Sequence, residues 1–456
     1  MKVNHEATKG QSPVSDKQMN YAVCTIVSKN HLPFARVFAE SYRKHNKGEV
    51  FLLLVDRVDG CFDPAKEPFR MYTIEDFRDR IPEFDSFCFR YSILELNCAM
   101  KPYFIDSLFK EYGFKKLLYF DSDILVTGSV DELIGLLESH PLILTPHLSD
   151  PLKDGFSPTE VDVLRAGQYN AGFLGIANTP AARGFIEWWK ERLHTDCIHA
   201  VEKGLFVDQK WLDFAPSFMD GVLILKDPGC NIAYWNLFRR ELTELDGAYY
   251  ADGRQAVFFH LSGFDPEKPE TVSCHQNRVT FESAPRYRGI FEEYARRVLS
   301  KAWAEAKGWP YAFGRFDNGI EIPPFARRLF HEMKEDARRF GNPFETAHDG
   351  SFYKWLKEPM NQAWPDVTRW SLAMQARSTA PSIIDHMNLL YQKEEAIRSK
   401  DALISAKDAA IRAMEAEIHA KDIEIHAREM EKKLILNSLS WKVTAPLRKA
   451  VGILKG

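Results

Sequence analysis

The chain reads as an α/β protein with a parallel sheet, and three observations carry that expectation. An apolar run rich in β-branched residues, YAVCTIV (21–27), is followed by a helical pattern, FARVFAESYRKH, and at once by a second run, VFLLLVD (50–56). Strand, helix, strand at this spacing is a βαβ unit, whose strands must lie parallel. Further apolar runs recur through the first ~300 residues, a normal length for one domain of this class. Hydrophobic residues make up 45% of the chain, enough for a sizeable core.

Taken in order, residues 1–19 (MKVNHEATKGQSPVSDKQM) are polar and read as a flexible tail. After the βαβ unit a helix is expected over 92–112, leading into KKLLYFDSDILV (115–126), a buried strand interrupted by acids. PLILTP (141–146), GFLGIAN (172–178) and GVLILKD (221–227) add strands, and AVFFHLSG (256–263) reads as the last core strand. The main domain is therefore placed at 20–300. Residues 301–390, rich in Trp, Phe and Arg, read as a helical appendage.

From 391 to 436 no Gly or Pro interrupts a long helical stretch in which Ile397, Ile404, Ile411, Ile418 and Ile425 recur every seven residues. The position three residues on holds Lys400, Lys407, Met414, Lys421 and Arg428, where a good coiled coil wants a second apolar row. Both a weak homo-oligomerising helix and a long exposed helix fit. The segment 437–456 is basic, with Trp441, Val443, Leu447 and Val451 interleaved; a membrane-surface segment and a disordered basic tail both fit.

Bulk properties narrow the function. The formal net charge is −4, so no global basic field marks a nucleic-acid partner. No apolar run is long enough to span a bilayer, and the first residues lack a signal-peptide apolar region, so a cytoplasmic location is expected, with peripheral contact at the inner face of the membrane through 437–456. Seven scattered cysteines with no CxxC pair indicate neither a disulfide framework nor a zinc site.

The sharpest chemical signal is LLYFDSDILV. Two carboxylates inside an apolar strand are costly without a partner. In extended chain Asp121 and Asp123 would share a face, with Ser122 pointing away, and converge on one hard divalent cation such as Mg2+ or Mn2+. His260, at the end of AVFFH, offers a third ligand. Such a centre suits a diphosphate, whose departure from a sugar leaves negative charge to stabilise.

In order, VCTIVSKN…LLLVD, AMKPYF…KKLLYFDSDILV, QYNAGFLGI, FVDQKWLD and HLSGFDPEKP resemble the GT-A-fold glycosyltransferases over roughly residues 20–290, most closely glycosyltransferase family 8, which includes glycogenin and bacterial lipopolysaccharide galactosyltransferases. The resemblance implies a Rossmann-like GT-A domain and bacterial cell-surface glycan assembly. It implies Mn2+ (or Mg2+) at Asp121, Asp123 and His260, with Asp121 also contacting the donor. Gly263 and Lys268 match the element that grips the diphosphate, although the gap between them is two residues longer than usual and Glu270 replaces an expected Trp. Lys101, Asn170, Ala171 and Gly172 match residues around the donor sugar, and Asp208 and Gln209 match the pair facing the reacting carbon. Ser28, with its neighbours Val27 and Lys29, and Asp56 would flank the nucleobase; Trp235 and Asn236 fit either the acceptor side or core packing. The implied reaction moves a sugar, with retained configuration, from a nucleotide-sugar donor (a UDP-sugar by this resemblance) to a glycan, lipid-linked or protein acceptor.

Competing readings are weighed by single features. A nucleotidyltransferase would carry a Gly-rich, Arg-containing loop where this chain has SKNHLP. A phosphohydrolase would place its nucleophilic Asp near the start of the domain. A non-catalytic scaffold with a degenerate transferase domain would not need the intact Asp121, Asp123 and His260 set.

Overall fold

The computed structural model describes residues 20–358 and, beyond them, 421, 425–434, 436, 442–444, 446 and 448. The heptad and basic-tail segments therefore lie largely outside the described residues; 425–434 is helical. A first compact unit runs from Met1 to Asn361 and a second from Gln362 to Gly456.

The first unit is built on strands β1 (Tyr21–Val27), β2 (Val50–Leu54), β3 (Arg70–Thr73), β4 (Lys116–Phe120), β5 (Ile124–Val126), β6 (Leu142–Pro146), β7 (Tyr169–Ala177), β8 (His199–Ala200), β9 (Leu205–Phe206), β10 (Leu223–Ile224), β11 (Leu242–Leu245), β12 (Ala248–Ala251), β13 (Arg254–Gln255) and β14 (Phe258–His260). Seven of them form the central sheet in the order β10-β6-β7-β4-β1-β2-β3. The α/β class is as expected, and β1, β2 and β4 pair in parallel. The sheet is nonetheless mixed, not purely parallel. β7 runs antiparallel to both β4 and β6. An apolar run reveals burial but not direction, so the reversal was not legible in its residues.

Helices cover both faces, which is why β1 and β2 are apolar at nearly every position. Helix α1 (Leu32–His45) lays Leu32, Ala35, Phe38 and Tyr42 against Val23 and Val27. Helix α2 (Phe84–Arg90) precedes α3 (Ile93–Tyr112), which covers the other face with Leu96, Met100, Phe104 and Leu108. Ser92 and Glu95 form a reciprocal capping box at the start of α3, and Gly113, at φ 66°, ends it. The helix expected at 92–112 is thus placed by its own caps.

The stretch read as one strand, 115–126, is two. β4 ends at Phe120, the acids occupy a turn closed by Ile124 N–H to Asp121 O (3.3 Å), and β5 leaves the main sheet to pair antiparallel with β14. The run at 256–263 accordingly ends in a two-stranded ribbon and not in the central sheet. The extended-chain argument for Asp121 and Asp123 gives way to a turn, which brings both carboxylates to one side by a different route.

Residues 301–358 belong to the first compact unit and pack closely on it. The buried Arg327 guanidinium donates to the carbonyls of Phe89 and Tyr91 at 2.7 and 2.9 Å, and to that of Phe313. Ala312 N–H donates to Asp56 at 2.9 Å. Among the described residues no helix is long and apolar enough to cross a membrane.

Candidate functional site

Three backbone hydrogen bonds and one register assemble the site. Asp121 N–H donates to Gly172 O (2.8 Å), which sets β7 beside the acid turn. Leu261 N–H donates to Asp123 O (3.0 Å), and His260 stands opposite Ile124 in the β5–β14 ribbon. His260 N–H is held in turn by Ile232 O at 2.8 Å. Residues far apart in sequence thus meet at the carboxyl end of β4, where open α/β sheets place their ligands.

Ligand atoms of Asp121, Asp123 and His260 all lie within 4.8 Å of one another. Their fit to a cation can be tested from the hydrogen bonds. Gly172 N–H, a donor only, contacts Asn170 Oδ1 at 3.1 Å, so that atom is an acceptor. His260 Nδ1 lies 3.1 Å from the same oxygen and 3.2 Å from Asn231 Oδ1. Asn231 Nδ2 is spent on Thr145 Oγ1 (2.7 Å) and Asn170 Oδ1 (3.1 Å). Facing two acceptors, Nδ1 carries the proton, and Nε2 turns its lone pair toward Asp123 Oδ1 at 3.2 Å. Two lone-pair atoms that close need a proton or a cation between them. Two carboxylates and one imidazole form a donor set that suits Mn2+.

The acids and the imidazole also act on one another's protonation. Burial pulls the His260 imidazole down, but Asp123 and Asp121 outweigh it and hold its pKa above the usual range. Burial pushes Asp123 up, but His260 brings it below the ordinary carboxylate value. Burial pushes Asp121 up, and although Lys101 opposes this, Asp123 adds to it and the carboxyl stays raised.

Lys101, on α3, closes the other side. Its buried ammonium donates to Ala171 O (2.8 Å), pairs with Asp208 (2.5 Å), stands 3.7 Å from Asp121 and lies over the Tyr119 ring at 4.4 Å. Burial lowers its pKa, and the two carboxylates raise it further than burial lowers it. Tyr119 O–H donates to Asp121 at 2.6 Å.

The structure brings some of the expected residues together and not others. Asp121, Asp123, His260, Asn170, Gly172, Lys101, Asp208 and Gln209 form one connected group. Gln209 accepts from Ala171 N–H and donates to Ala166 O, both at 3.1 Å, so it steadies the start of β7. Ser28 is buried at a cleft and hydrogen-bonded to Val55 O and Asn97. Asp56 does not line that cleft; it accepts from the backbones of Lys29, Arg57 and Ala312. Gly263, at φ 69°, is required by its own surroundings, since a Cβ would meet His275 at 2.4 Å. Lys268 is exposed and stands 3.8 Å from Asp265. Trp235 is buried edge-on to His260 and His147, and Asn236 supports the turn that carries Asn231.

Sequence reasoning missed Tyr119, Asn231, His147 and Asn97. Tyr119 had one legible signal, a polar atom in an apolar strand two residues before Asp121. The others are joined to the site only by tertiary contacts. The cleft itself holds about 260 Å3 and runs from Ile26, Ser28 and His31 past Ile93 and Asn97 to Lys101 and the two acids.

Two predictions arise here. Asn231→Ala removes one of the two acceptors that fix the His260 tautomer; divalent-metal affinity is expected to fall roughly ten- to a hundredfold, read by titration with Mn2+. The second concerns His147, whose Nδ1 lies 2.9 Å from Gly167 O. Burial depresses its pKa from 6.5 to about 4. The unfolded chain takes up that proton first, so the stability linked to His147 is complete above about 6.5 and is lost as pH falls toward 4. The loss at pH 5 is expected to be about 2 kcal/mol, and His147→Gln should flatten the melting profile between pH 7 and 5.

No family model matches the chain. Two uncharacterized proteins of Bacillus subtilis (strain 168) are related in sequence: YfnF, 28% identical over 170 residues (36% of this chain, 55% of that protein), and YfnD, 26% identical over 173 residues (36% and 52%). The match thus spans about half the length of each relative. Among solved structures, the chain is similar to the glycosyltransferase GlyE of Streptococcus pneumoniae TIGR4, with TM-score 0.36, 17% identity and coverage of 65% of this chain and 67% of that one. It is also similar to the galactosyltransferase LgtC, solved with donor and acceptor sugar analogs, at TM-score 0.36 and 16% identity, covering 60% and 95%. Mouse xyloside xylosyltransferase 1 follows at TM-score 0.32 and 11% identity, covering 53% and 97%. These neighbours are glycosyltransferases.

Proposed function

We propose that the chain is a metal-dependent glycosyltransferase of GT-A type that takes a nucleotide-diphosphate sugar, with UDP as the carrier. The observation that carries this reading is the convergence of Asp121, Asp123 and a tautomer-fixed His260 Nε2 beside a cleft of about 260 Å3 that the two acids line. Asp121, Asp123 and His260 would hold Mn2+ or Mg2+; when bound, the ion supplies positive charge beside the departing diphosphate.

The chain's own residues do the rest. The buried Lys101 ammonium holds Asp121 and Asp208 in place and adds fixed positive charge near the acids. Asn170 and Gln209 lock the start of β7, so the donor sugar would meet a rigid wall. Asp208 is tied to a buried ammonium at 2.5 Å, so its carboxylate is already occupied. That favours retention of configuration, in which no strong protein base is needed, over inversion. The acceptor is a glycan, lipid-linked or protein hydroxyl.

The test is release of free UDP from a panel of UDP-sugars by purified protein. Turnover that needs Mn2+, stops with chelator and is lost in Asp121→Ala is expected. Turnover indifferent to metal, or none from any nucleotide sugar, contradicts the proposal.

A further inference from the structure

With Lys268 exposed and standing 3.8 Å from Asp265, the segment after His260 brings no lysine to the metal site. Its backbone leads to a different side chain. Leu261 N–H donates to Asp123 O at 3.0 Å, Phe264 N–H closes a turn on Leu261 O at 3.1 Å, and Cys274 N–H donates to Gly263 O at 2.9 Å. These bonds tie His275 to the acid turn. The imidazole lies directly over Gly263, where a Cβ would stand 2.4 Å from its Cδ2 and 2.8 Å from its Nε2. Glycine at this position therefore makes room for the ring.

The loop that carries His275 is braced from behind. Arg278, its side chain almost wholly buried, pairs with Asp154 at 2.9 Å and donates to the carbonyls of Phe156 and Pro158, both at 2.9 Å. Asn277 N–H donates to Ser157 O, and Ser157 N–H returns a bond to Asn277 Oδ1 at 2.7 Å. His275 itself is exposed. Among the described residues its ring nitrogens meet only the Cys274 thiol, at 3.6 and 3.8 Å, a weak partner. Burial lowers its pKa, and the Asp123 carboxylate opposes that shift, so the ring lies within the field of the metal site.

A fixed loop that presents an accessible, uncommitted imidazole beside a metal ligand suits an anion held by that metal. An imidazole carries at least one N–H in either charge state, so it can always donate. The buried Lys101 ammonium is already engaged by Asp208, Asp121 and Ala171 O. We propose that His275 is a diphosphate-binding residue, one ring N–H donating to a phosphate oxygen of the nucleotide-sugar donor. This rests on the nucleotide-sugar reading above.

Calorimetric titration with Mn2+ alone, and with UDP in the presence of Mn2+, tests the idea in wild type, His275→Ala, His275→Gln and Lys268→Ala. His275→Ala is expected to bind UDP roughly tenfold more weakly, the loss of one hydrogen bond to a charged group, and to bind Mn2+ alone as wild type does. His275→Gln keeps an N–H donor and should lose less, and Lys268→Ala should match wild type. A His275→Ala protein whose UDP affinity is unchanged overturns the proposal. So does one whose affinities for Mn2+ and UDP fall together, because His275 would then only support the metal loop. A loss in Lys268→Ala with none in His275→Ala returns the role to the lysine. Each of these outcomes, in a wild type that binds UDP, refutes the His275 role alone. Folded wild type that binds no UDP refutes it together with the donor reading.

Discussion

Gly172→Ala is expected to abolish turnover while leaving the protein folded. The added Cβ would lie 2.3 Å from His260 Cε1, 2.8 Å from Asp121 Oδ2 and 2.9 Å from Asn170 Oδ1. None of the three can retreat cheaply. His260 is clamped by Asn170 and Asn231, Asp121 by Tyr119 and Lys101, and Asn170 by Gly172's own backbone N–H. The smallest side chain must therefore push the imidazole or the carboxylate off the shared point. A displacement near 1 Å in such a site costs on the order of 100-fold in rate. Circular dichroism should show native secondary structure, and Mn2+ titration followed by paramagnetic resonance should show lost or much weakened binding. Full metal binding with normal turnover would mean that the acids and His260 do not act as one site.

Lys101→Met is expected to cost stability as well as activity. Lys101 and Asp208 are almost wholly buried, and the ammonium also faces Asp121. Removing the cation strands a carboxylate in the interior, which destabilises by about 3–5 kcal/mol. Adding Asp208→Asn to Lys101→Met should return part of that loss, because the wholly buried carboxylate is then neutral, while Asp121 is about a third exposed and still accepts from Tyr119 O–H. The double variant should remain inactive if Lys101 and Asp208 serve the donor. Chemical denaturation of the two variants beside wild type separates the effects. Equal stability of single and double variants would show that the buried pair is not what holds this region.

The features legible in the sequence were those encoded locally. The βαβ start follows from apolar runs flanking a helical pattern, and a helix was expected over 92–112, whose caps at Ser92, Glu95 and Gly113 are seen in the structure. The acid pair was visible because charge inside LLYFDSDILV has to be explained. His260, at the end of AVFFH, was legible as a third ligand, and its match to a known motif strengthened that reading. What escaped was set by partners distant in the chain. Strand direction at β7 depends on pairing with β4 and β6, and Asn231 matters only because a left-handed turn, at φ 52°, aims it at His260 from 29 residues away. Asp56, two residues past β2, was expected beside the nucleobase through the resemblance. Its carboxylate accepts from Ala312 N–H, from a segment some 250 residues later, a contact that no local pattern announces. Lys268 sits in a motif with altered spacing, and the structure leaves it at the surface beside Asp265.

The central claim is that Asp121, Asp123 and His260 form a metal site that holds a nucleoside diphosphate. Thermal stabilisation of the purified protein by UDP, with and without Mn2+, tests it most directly, since a ligand that binds only the folded state raises the melting temperature by mass action. The account predicts a rise with UDP that requires Mn2+ and vanishes in Asp123→Ala. A folded protein whose melting temperature ignores UDP, or responds to it equally without metal and in Asp123→Ala, would contradict it.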